Sequence, residues 1–154
     1  MVRLYHIYVE LKRIFCYNLY NNLKYFKSGG GSLKISEIPY VSEKFDYIFA
    51  VCTFLDEFYE TEDNKKNMLL IDEPIGGILD QKKYCNLAAA AHKLANDYKL
   101  KIPAWTMQKK YTMPFPVYAF NADDKNDQDF LKITTPDEYK IRNLYLGANV
   151  LKRV

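Results

Sequence analysis

Apolar residues recur every three or four positions along most of the chain, the repeat of a helix rather than a strand. From Val2 to Lys27 the stripe is Leu4, Ile7, Tyr8, Leu11, Ile14, Phe15, Leu19, Leu23 and Phe26, with Arg3, Lys12, Arg13, Lys24 and Lys27 mostly off it. Tyr5, Tyr17, Tyr20 and Tyr25 widen this face. A helix so aromatic needs a packing partner, either the rest of the chain or a second copy.

Ser42 is a candidate N-cap with Glu43 in the first turn. The helix predicted over 43–59 places Phe45, Ile48, Phe49, Cys52, Leu55, Phe58 and Tyr59 on one side. Residues 60–64 are a polar break, and 65–71 read as a short apolar helix stopped by Pro74 and Gly76-Gly77. Asp80 caps the clearest helix, 81–98, with the stripe Tyr84, Leu87, Ala88, Ala91, Leu94, Ala95 and Tyr98. Its alanine run favours helix intrinsically and lets a neighbour approach closely. No glycine ends it; Lys99 and Lys101 suit its negative end, and Pro103 forbids continuation.

Beyond 103 the periodicity breaks up. Pro103, Pro114 and Pro116 leave one or two helical turns over 105–111 and a short strand or extended piece over 117–120. Residues 121–127 read as an acidic loop and 129–133 as a short helix at best. Thr135-Pro136-Asp137-Glu138 has the form of a helix start, with Thr as cap and Pro first, for a helix over 136–142. Leu144-Tyr145-Leu146 alternates like a strand, and 148–154 read as a last turn. The expected fold class is all-α, a mainly helical orthogonal bundle with at most one or two short strands near residues 117–120 and 144–146. The expected organisation is an amphipathic N-terminal helix 1–27, a Gly/Ser linker 28–34 and a helical globular domain 35–154. The run Ser28-Gly29-Gly30-Gly31-Ser32 has no side chain that offsets the cost of ordering. It is either a natural boundary loop or an engineered joint.

The length of 154 residues suits one domain. With 49% hydrophobic residues and only six Gly and six Pro, the composition excludes a disordered tail or a fibre. No apolar run is long enough to span a membrane, so no membrane partner is expected. The net charge of +3 is too small to argue for nucleic acid, but its distribution is uneven. Residues 1–34, 81–116 and 140–154 are basic blocks; 35–80 and 117–139 are acidic ones. Such blocks satisfy each other within the fold or leave charged faces for a complementary partner. Cys16, Cys52 and Cys85 lack a CxxC spacing and lie in apolar stretches. They are expected to be small core residues, as reduced thiols in the cytoplasm.

The chain contains no phosphate loop, dinucleotide fingerprint, zinc-protease helix or nucleophile elbow. Its two histidines are His6 and His92, and His92, one position after core-facing Ala91, reads as structural or exposed. Asp56-Glu57 and Asp72-Glu73 could hold magnesium and keep a phosphoester enzyme as one alternative. Asp123, Asp124, Asp127 and Asp129 lack the glycine and closing Glu of a calcium loop. Caps and solubility account for these acids, so no metal, no cofactor and no catalytic residue is expected. The basic, tyrosine-rich stretches 3–27 and 82–111 keep nucleic-acid binding as another alternative. Their tyrosines lie at helical spacing beside leucines, as core residues do.

From residue 45 onward several phrases stand out: Phe54-Leu55-Asp56-Glu57-Phe58-Tyr59, Leu70-Ile71-Asp72-Glu73-Pro74, Pro103-Ala104-Trp105-Thr106, Thr135-Pro136-Asp137-Glu138-Tyr139, and Arg142-Asn143-Leu144-Tyr145-Leu146 with Asn149-Val150-Leu151. Together they resemble a family of small, largely uncharacterised bacterial proteins that read as companions of a toxin or nucleotidyltransferase-like partner. The resemblance covers roughly residues 45–154 and not 1–40. It implies a non-enzymatic protein-interaction module, antitoxin-like, neutralising a partner protein encoded nearby. Self-association through the N-terminal helix is the other partner reading. Candidate partner contacts are Trp105, Arg142, Asn143, Tyr145 and Tyr59. Trp105 could equally be core, and Asn143 a helix terminator. Arg142 could instead pair with Asp72 or Glu73, pinning the tail to the middle helices.

Overall fold

The computed structural model describes residues 31–119 and 122–151. The predicted helix 1–27 and linker residues 28–30 lie outside the described residues. Leu33 is buried in the core, and its N–H donates to the Glu57 carboxylate.

The described residues form six helices: α1 Ile38–Lys44, α2 Tyr47–Glu60, α3 Asp63–Leu70, α4 Gln81–Asp97, α5 Lys125–Thr134 and α6 Asp137–Lys140. Two strands, β1 Val117–Tyr118 and β2 Leu144–Tyr145, form a parallel pair with Val117 opposite Leu144. The fold is mainly helical, as the spacing predicts. Short 3-10 turns at Ile35–Glu37, Ala104–Met107 and Lys109–Tyr111 join the longer elements. No helix among the described residues is long and apolar enough to cross a membrane.

The predicted start at Ser42 is corrected. Ser42 donates its hydroxyl to Ile38 O inside α1. The chain breaks at Phe45 and Asp46, and the Asp46 carboxylate caps α2 by accepting from Ile48 N at 2.5 Å. An acid whose backbone is already extended caps better than a serine whose hydroxyl is used in the previous helix. Thr135 is also not a cap. Pro136 takes that position at α6, and Thr135 Oγ1 accepts from Gly147 N at 2.9 Å. α5 is twice the predicted length because Asp124 caps it, accepting from Asn126 N at 2.6 Å.

α4 is the central element. Leu87, Ala88, Ala91, Leu94 and Ala95 face a large cluster with Ile35, Ile38, Phe54, Phe58, Leu70, Trp105 and Tyr111. Cys85 and Ala89, on another side, join Tyr139 and Leu144 in a second cluster. A helix apolar on nearly every side is a buried helix. It ends with Lys99 in the left-handed region at φ 54°, while Leu100 N donates back to Ala95 O at 2.8 Å. That closing bond ends the helix without a glycine. β1 and β2 are parallel, so they need a crossover, which α5 and α6 supply.

Truncating Phe54, fully buried where α2 meets the large cluster, should cost about 3–5 kcal/mol. Phe54→Ala is expected to lower the denaturant midpoint accordingly with an unchanged slope. Phe115→Ala, at a solvent-facing ring, should change stability by no more than about 0.5 kcal/mol.

Candidate functional site

The residues singled out from the sequence fasten different segments of the fold to one another. Trp105 is buried. Its Nε1–H donates to Leu70 O at 3.0 Å, and its ring meets Tyr111 edge-on at 5.3 Å. The indole therefore ties the 3-10 turn Ala104–Met107 to the end of α3 and offers no ring to a partner.

Arg142 is 2% exposed. The expected pairing with Asp72 or Glu73 is not formed. The guanidinium donates to Glu138 O and Thr106 O, and Nη1 lies 3.5 Å from His92 Nδ1. Nε has no hydrogen-bond partner. Thr106 and Glu138 belong to a 3-10 turn and a one-turn helix, whose last carbonyls lack internal partners and concentrate negative charge. Nη1 and Nη2 thus meet carbonyl dipoles in place of a carboxylate. Burial lowers the Arg142 pKa, and Cys85, Tyr139 and Glu138 oppose the shift.

Asp72 and Glu73 hold other segments. Asp72 pairs with Lys34 Nζ at 2.8 Å. Glu73 pairs with Lys110 Nζ at 2.5 Å and accepts from Tyr111 Oη at 2.7 Å and Gln108 Nε2 at 3.2 Å. The Lys110 bond, with Tyr111 and Gln108 behind it, holds the Glu73 carboxyl below its usual range against the opposing effect of burial. Glu57 serves Leu33. Among the described residues no three His, Cys, Asp or Glu side chains gather as metal ligands would.

The other candidates are also scaffold groups. Asn143 ends the segment after α6 at φ 58°, and Nδ2 donates to Met113 O at 2.7 Å. Tyr145 stacks on Tyr118 with centroids 5.0 Å apart. Tyr59 donates its hydroxyl to Leu151 O at 2.6 Å, beside a groove of about 490 Å³ lined by Tyr98, Lys93, Asp97 and Val150. Cys85 is buried, with its thiol pushed up to about 11 by desolvation, whereas Cys52 is exposed on α2, contrary to the core position expected for it.

These bonds leave a surface that sequence reasoning missed. Ile71 is 53% exposed, Ile75 51% and Met107 60%. The Trp105–Leu70 bond places Ile71 beside the 3-10 turn, and the Gln108–Glu73 bond brings Met107 to the loop carrying Ile75. Exposed Lys101 and Lys109 flank the turn, and Lys110 lies against Glu73. The available signal was that Ile71 lies within one of the distinctive phrases, with Ile75 just after it and Met107 just after another. Phe130 and Ile133 on α5 and Ile141 after α6 are also exposed.

No family model, curated protein or solved structure matches the chain.

The His92 pKa is lowered, first by burial and then by the Arg142 charge, with Glu138 opposing. Unfolded, the ring binds a proton near its ordinary value of 6.5. The stability that depends on neutral His92 is therefore present above about pH 6.5 and lost as the pH falls below it. His92→Gln should flatten stability against pH between about 6.5 and 5, measured by urea unfolding at each pH. A slope equal to that of the parent chain would assign the acid sensitivity elsewhere.

Proposed function

We propose that this chain is a non-enzymatic protein-binding module and that Ile71, Ile75 and Met107 form its contact surface. The observation that carries the reading is three large apolar side chains, each more than half exposed, on two segments that the Trp105–Leu70 and Gln108–Glu73 bonds fasten together. Isolated apolar residues are ordinary on a protein surface, whereas grouped ones on a rigid frame mark recognition sites. The frame lowers the ordering cost of association, because the loop and the turn are already fixed to each other. The lysines of the 81–116 block suit a partner with an apolar centre and an acidic rim. The phrases that resemble the antitoxin-like companions supply this frame, which favours a neutralised protein encoded nearby as the partner.

The test is co-expression with the product of the neighbouring gene, followed by co-purification and titration of that product's activity. The parent chain should bind it and suppress its activity. Ile71→Asp with Met107→Asp should weaken binding at least tenfold, about 1.4 kcal/mol, while thermal stability stays near that of the parent. A chain that stays solitary and leaves its neighbour fully active would remove the reading.

A further inference from the structure

α5 turns an apolar face to solvent. Asp127, Phe130 and Ile133 follow one another at intervals of three, so they lie along one side of the helix. Phe130 is 64% exposed and Ile133 78%. Leu131 is the one buried residue of α5 and anchors it to the fold. The other two large apolar side chains of the helix point away from that anchor, next to each other and unused by the core.

The charges at this face are opposite to those around Ile71, Ile75 and Met107. Asp127 sits on the face and Asp123 just ahead of the helix, both in the acidic block 117–139. Lys101 and Lys109 flank the 3-10 turn that carries Met107, both in the basic block 81–116. All four are exposed, and among the described residues none of them is in an ion pair. The chain therefore carries both halves of a complementary pair, an apolar centre with lysines at its rim and an apolar helix face with aspartates at its start. Both halves are exposed in the single chain, so they do not cover each other within it.

We propose that α5 of one copy docks on the Ile71, Ile75 and Met107 surface of a second copy, with Phe130 and Ile133 against those side chains and Asp127 beside Lys101 and Lys109. The contact is head-to-tail. It uses a different surface on each copy, leaves one of each free at the ends, and so builds rings or open chains. It rests on the reading of the Ile71 and Met107 surface as a contact surface, and it gives that surface a competing occupant. A self-associated copy has the surface covered, so binding of the neighbouring gene's product is linked to dissociation of the copies.

Sedimentation of the full-length chain across about two decades of concentration tests the proposal. The parent should associate reversibly, and less strongly as salt is raised. Phe130→Asp and Met107→Asp, both at exposed positions, should each weaken association at least tenfold while the helical circular dichroism stays that of the parent. Ile133→Asp should repeat the effect of Phe130→Asp. An equal mixture of Phe130→Asp and Met107→Asp chains should associate again and stop at a dimer, because one supplies an intact Met107 surface and the other an intact α5 face. Phe130→Asp should leave binding of the neighbouring gene's product intact, whereas Met107→Asp weakens both, which separates failure of this proposal from failure of the partner reading. A parent chain that stays monomeric at every concentration would overturn the proposal. So would association that survives Phe130→Asp, which would make another surface the contact, or a mixture of the two variants that stays monomeric.

Discussion

The rest of the structure depends on the small side chains of α4. Ala88, Ala91 and Ala95 keep one side of the helix narrow, and Cys85 and Ala89 keep another narrow. Neighbouring backbones can then approach without leaving gaps, and interiors tolerate few gaps. The large cluster takes its bulk from the partners, Phe54, Phe58, Trp105 and Tyr111, rather than from α4. The small cluster does the same with Tyr139 and Leu144. A larger residue at Ala88, Ala91 or Ala95 would have to displace its packed neighbours, and overpacking of this kind costs about 1–3 kcal/mol.

Around this helix, polar bonds do the joining. Trp105, Glu73, Arg142 and Asn143 each tie segments at least 30 residues apart, and three of the four reach a backbone carbonyl. Carbonyls at the ends of 3-10 turns and one-turn helices lack internal partners, so a fold rich in short turns offers many such acceptors. Lys66 follows the same logic with rings. Its side chain is 5% exposed, and its ammonium pairs with Asp63 while lying 4.9 Å from the Tyr98 ring centroid. The cation joins α3 to the end of α4 without a buried carboxylate.

The legible parts of the fold were those governed by local chemistry. α4 was readable to within a residue because Asp80, the alanines and the stripe all agree. The helical class and both short strands were readable from periodicity and from proline placement. Less legible were the starts set by competition between caps. Ser42 and Asp46 are both good caps, and only the path of α1 decides between them. Asp124 looked like one acid among several in a loop, yet it starts a ten-residue helix. The Arg142 partners were not legible at all. Charge alone points to a carboxylate, whereas the carbonyls it meets acquire their position only when Thr106 and Glu138 are folded beside it. The exposed group at Ile71 and Met107 was hidden for the same reason, since the bond that aligns it joins residues 35 apart.

The parallel pairing of β1 with β2 also has a consequence for biogenesis. The Cys85 and Ala89 side of α4 is closed by Tyr139 and Leu144, which the ribosome adds roughly 50 residues later. At roughly 5–20 residues per second, that strip stays open to solvent for on the order of several seconds during synthesis. The nascent chain must hold its central helix half-covered through that interval.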